Sequence, residues 1–152
     1  MEMHLTIIGI LLVLLALIHI IFPRYFNWSQ ELAGLSVINR EMIYVHTFFI
    51  AFIVFLMGLL CMFSAHDLLH TTLGKHICLG LGIFWFLRLL VQFFGYSAVL
   101  WKGKRFETGV HILFTILWGY FTIIFFLGYL FQVSFISLFK HVTCDLFNPM
   151  FT

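Results

Sequence analysis

The chain has 152 residues, 63% of them hydrophobic and only 9% charged, with 21 Phe against 2 Pro and a net charge of +2. That balance lies outside the range of a soluble domain of this size and marks an integral membrane protein. With no basic patch and no aromatic RNA-binding module, it argues against nucleic acid as a partner and names the lipid bilayer as the first one.

Four apolar runs reach the ~20 residues needed to cross a bilayer: 4–22, 41–63, 75–101 and 109–131. They predict one all-α transmembrane domain over residues 1–152, an antiparallel four-helix bundle. The first run opens on "MEMHLTIIG", with no Lys or Arg and no A-x-A-like site after it, so it reads as a retained helix and not a signal peptide. Pro23 then stops the helix. In the connection "FPRYFNWSQELAGLSVINR", Phe22, Tyr25, Phe26 and Trp28 are rings of the kind that settle at a headgroup interface. Residues 29–38 read as a short helix lying on the membrane, capped by Ser29 and with Leu32, Leu35 and Ile38 on one face.

Small residues let helix backbones approach in lipid. The second run carries Thr47, Ala51, Gly58 and Cys61 near one stripe, the third Gly74, Cys78 and Gly82, and the fourth Thr115, Gly119 and Thr122. Cys61 and Cys78 fall at similar depth, where a disulfide is feasible in an oxidising compartment, although small hydrophobes in a packing seam are the simpler reading. The short loop "WKGKRFETG" forces the last two runs into a hairpin, and the tail beyond Phe131 reads as an amphipathic extension along the outer interface.

The 1–2 and 3–4 loops hold Arg24, Arg40, Lys102, Lys104 and Arg105, against Lys75 and Lys140 on the opposite side. The excess of positive residues makes the first side cytoplasmic and puts both termini outside.

Counting inward from that side at ~1.5 Å per residue, His19, His46, Tyr96 and His111 each fall ~5–8 Å deep, one from each run. Below them on the third run, Gln92 and Arg88 follow Tyr96 at successive turns and Trp85 continues the column. Arg88 lies nearly ~20 Å from the boundary, too deep to snorkel, where a charge costs at least ~2.5 kcal/mol. No Asp or Glu stands within a span beside it, so its donors turn to Gln92, hydroxyls, backbone carbonyls or a ligand. His19, His46 and His111 are the candidate metal or haem ligands; Arg88, Gln92, Tyr96 and Trp85 are the candidates for holding a small cofactor such as a quinone. The stretch "HDLLH", His66 to His70, has a spacing that could hold a metal on a helix, but reads first as a solvated loop. No G-x-S-x-G, P-loop, G-x-G-x-x-G, paired CxxC or C-x-x-C-H motif occurs.

The segments "HIIFPRYFNW", "NREMIYVHTFF" and "YSAVLWKGKRFETGVH" resemble the small four-helix inner-membrane proteins of bacteria, loosely of the DoxX-like sort. The resemblance implies a bacterial inner-membrane location and the four-span architecture, and no particular chemistry. Three functions fit these residues: a redox or ligand-binding protein whose pocket takes a quinone-like headgroup, haem or a divalent metal; a metal-dependent membrane enzyme; and a non-catalytic subunit that docks a membrane partner or a second copy of itself. Because haem propionates reach for the interface and Arg88 lies deeper than the His layer, a carbonyl or carboxylate ligand is favoured over haem.

Overall fold

The computed structural model describes residues 1–95 and 104–147, with side chains to residue 133. Every regular element among them is helical: α1 (Glu2–His19), α2 (Phe22–Tyr25), α3 (Trp28–Glu31), α4 (Val37–Phe63), α5 (Ala65–His70), α6 (Thr72–Phe94) and α7 (Arg105–Phe147). Four are long and apolar enough to cross a membrane: α1, α4, α6 and the Arg105–Val133 part of α7. Their exposed surfaces carry large apolar side chains throughout, among them Phe63 and Phe94, which water would not tolerate in such number.

The chain divides into two compact units, Glu2–Ala65 and the residues from His66 onward. In the first, α1 packs on α4. Leu5, Ile8, Leu12 and Leu15 are buried along α1, and Val54, Gly58 and Cys61 along α4. Steps of three and four are the 3.5-residue repeat that keeps one stripe facing a partner helix. The two run antiparallel, Gly9 meeting Met62 while Gly58 meets Val13. Their backbones touch: a Cβ on Gly9 would stand 2.7 Å from the Gly58 carbonyl oxygen, and one on Gly58 2.9 Å from that of Gly9. Glycine is required at both by this approach.

The connection differs from the expected single interfacial helix. α1 ends at His19, and Pro23 sits in the first turn of α2, where its missing N–H costs nothing. Asn27 precedes α3 in the left-handed region (φ 47°) and its amide donates to Gln30 Oε1 at 2.6 Å, so Asn27 and not Ser29 begins that turn. Residues 37–38 already belong to α4, which Ser36 precedes with extended backbone. Trp28 packs edge-on against Tyr44, holding α3 to α4.

In the second unit α6 packs on α7. Thr71 sets the entry to α6: its hydroxyl donates to the Asp67 carbonyl and accepts from the Gly74 N–H at 2.9 Å, a side-chain N-cap. The α6 seam runs Gly74, Cys78, Leu81, Trp85, Arg88, Gln92, and the α7 seam His111, Phe114, Trp118, Phe121, Phe125, Gly128, Gln132, both in alternating steps of three and four. Leu68, within α5, is the anchor between them. Its carbonyl accepts from Gln132 Nε2 at 2.8 Å and from the Cys78 thiol at 3.3 Å. α7 continues as helix to Phe147, so the tail beyond Phe131 extends the fourth long helix.

Candidate functional site

The polar side chains of the α6–α7 hairpin lie on the seam, so they meet across it in layers. Gln92, buried, donates through Nε2 to His111 Nδ1 at 2.8 Å, which places the His111 proton on Nε2. One turn further along, Arg88 is half-buried and its guanidinium lies over the Trp118 ring, 5.4 Å from the centroid. Such a cation–π contact contributes about 0.5–2 kcal/mol, less than the ~2.5 kcal/mol a charge costs at helix centre, so more than the ring holds Arg88 at this level. Both side chains reach across to α7, Gln92 through His111 and Arg88 through the Trp118 ring.

The next layer is aromatic. Trp85 stacks on Trp118 with centroids 4.9 Å apart and planes 18° from parallel, and Phe114 and Phe121 close the cluster from α7. Trp85 is 2% exposed and Trp118 4%, yet neither indole Nε1–H finds a hydrogen-bond acceptor among the described residues. The hydroxyls of Thr115 and Thr122 donate back to the carbonyls of His111 and Trp118, a turn earlier on their own helix. Among the described residues the cluster therefore presents two indole N–H donors without acceptors, with the Arg88 guanidinium over one of the rings.

The remaining candidates are placed differently. His19 continues the α1 seam, half-buried, with its ring 4.7 Å from that of Phe22. His46 lies off the α4 seam and is exposed. Both rings donate Nδ1–H to a carbonyl one turn back, Leu15 and Met42, each at 2.8 Å, which leaves the lone pair on Nε2. They belong to the first unit and His111 to the second. Tyr96 lies outside the described residues. Cys61 and Cys78 are buried thiols. Trp118 was not singled out from the sequence, although it stands three residues past Thr115 and four before Thr122, on the stripe those residues mark.

No protein-family model, curated protein or solved structure matches the chain. The DoxX-like resemblance of its loops gains no support there, and the site's chemistry rests on its own residues.

Proposed function

We propose that this is an integral protein of a bacterial inner membrane, its four spans forming an antiparallel bundle with both termini outside, and that the α6–α7 seam binds a small amphiphile through acceptor oxygens, a quinone-like headgroup. The observation that carries the reading is the pair of buried indole N–H donors beside Arg88. Each unsatisfied buried donor costs about 1–3 kcal/mol. Two side by side, next to a cation, are best matched by a ligand that brings acceptors only. A quinone carbonyl does so, and its flat ring and isoprenoid tail suit aromatic walls in lipid. Haem is favoured less, because its axial ligands would be imidazoles, and Gln92, donating to His111 Nδ1, leaves that ring's proton on Nε2 where the iron would bind. A metal enzyme built on His19, His46 and His111 draws no support from the exposed position of His46.

The second reading, a non-catalytic subunit, is favoured by one feature: the Gln92–His111 bond satisfies both side chains within the hairpin. A short-tailed benzoquinone added to the purified protein separates the two. On the ligand reading it raises the melting temperature, and Trp118→Phe and Arg88→Leu stay folded but lose the rise. A rise that survives both substitutions would remove this site and leave the subunit reading in front. Absence of a Soret band in the purified protein is expected, and a stoichiometric one would put haem in the quinone's place.

A further inference from the structure

Outside that seam, α5 holds two imidazoles in a ligating arrangement. The stretch "HDLLH" is helical and not a loop, so His66 and His70 fall on one face a turn apart. Their rings are stacked, with centroids 4.2 Å apart and planes 20° from parallel, and a nitrogen of each comes within 4.8 Å of one of the other. His70 Nδ1 donates to the His66 carbonyl at 2.8 Å, which fixes the tautomer whose Nε2 carries the lone pair. That is the usual outer-shell contact of a metal-bound imidazole. His66 Nδ1 lies 3.9 Å from Asp67 Oδ1, a carboxylate within reach as a further ligand or orienting group.

The display is rigid although the helix is short. Leu68 and Leu69 are buried on the opposite face, the Leu68 carbonyl is held from α6 and α7 by Cys78 and Gln132, and Phe131 stands edge-on to His70. A tetrahedral ion ligated at ~2.0–2.1 Å needs its two nitrogens ~3.3 Å apart. Rotation of two exposed rings about their own bonds closes that gap without moving the backbone.

We infer that His66 and His70 form a surface site for a divalent transition-metal ion of the Zn2+, Ni2+ or Cu2+ kind, independent of the α6–α7 seam, with water completing the coordination. Imidazole donors suit these ions and not Mg2+ or Ca2+. The test is Zn2+ titration of the tag-free full chain in detergent, in competition with a chromophoric chelator. One equivalent should bind, and His66→Ala and His70→Ala should each weaken it by roughly tenfold or more, the least that losing even an outer-shell partner tends to cost. All three side chains are exposed, so the variants and an Asp67→Asn companion should melt as the parent does, while His76→Ala should bind as the parent does. Failure to bind one equivalent, or binding unchanged in both His66→Ala and His70→Ala, overturns the site.

Discussion

The two hairpins share a geometry and differ in what fills it. Between α1 and α4 the buried side chains are apolar and the closest approach is backbone to backbone, at Gly9 and Gly58. Between α6 and α7 the seam holds Trp85, Trp118, Arg88, Gln92, His111 and Gln132, and the contacts are made by side chains. A seam closed by backbone has no room for a ligand and no directional donor to offer one. One spaced by indole rings has directional donors, which is why functional interest gathers on the second hairpin.

The sharpest way to break the contrast is to put volume into the first seam. Gly58→Val should destabilise by about 3 kcal/mol, because the new side chain meets the Gly9 carbonyl and Val13 with nowhere to shift; a fall in thermal midpoint measures it, and an unchanged midpoint would mean the helices are not in contact there. On the second hairpin the largest structural effect should come from Gln132→Leu. It strips the Leu68 carbonyl of its strongest donor and should cost about 1–3 kcal/mol. Trp118→Phe should move the other way. Packing survives while one unsatisfied N–H disappears, so stability should hold or rise by about 1 kcal/mol as quinone-dependent stabilisation is lost. Smallest of all is Gly119→Ala. A Cβ there meets nothing within 4 Å, so only helix propensity acts, up to ~1 kcal/mol in favour.

Much of this was readable from residues alone. Apolar length fixes the four long helices, since a single ~20-residue apolar segment crossing ~30 Å of hydrocarbon satisfies its own backbone only as a helix. The small-residue stripes of α4 and α6 fall on the observed seams, at Gly58, Cys61, Gly74, Cys78 and Gly82. On α7 the stripe holds in part: Thr122 is buried, but open space surrounds Gly119, and the rings of Trp118, Phe121 and Phe125 do the filling. Gly9 was not legible, because one glycine among leucines looks the same whether it faces a partner or lipid. Depth counting could not rank His46, because depth fixes the level of a side chain and not its azimuth.

Cys61 and Cys78 are each 0% exposed, one within each hairpin. A thiol so enclosed reacts with an alkylating reagent only during the moments when its own helix pair parts. With Cys144, the third cysteine of the chain, replaced by Ser, the two labelling rates, followed in a single sample, become separate clocks for the two seams. The Cys78 clock should also slow when the quinone is bound, since its seam is the one the ligand would hold shut, while the Cys61 clock keeps its pace.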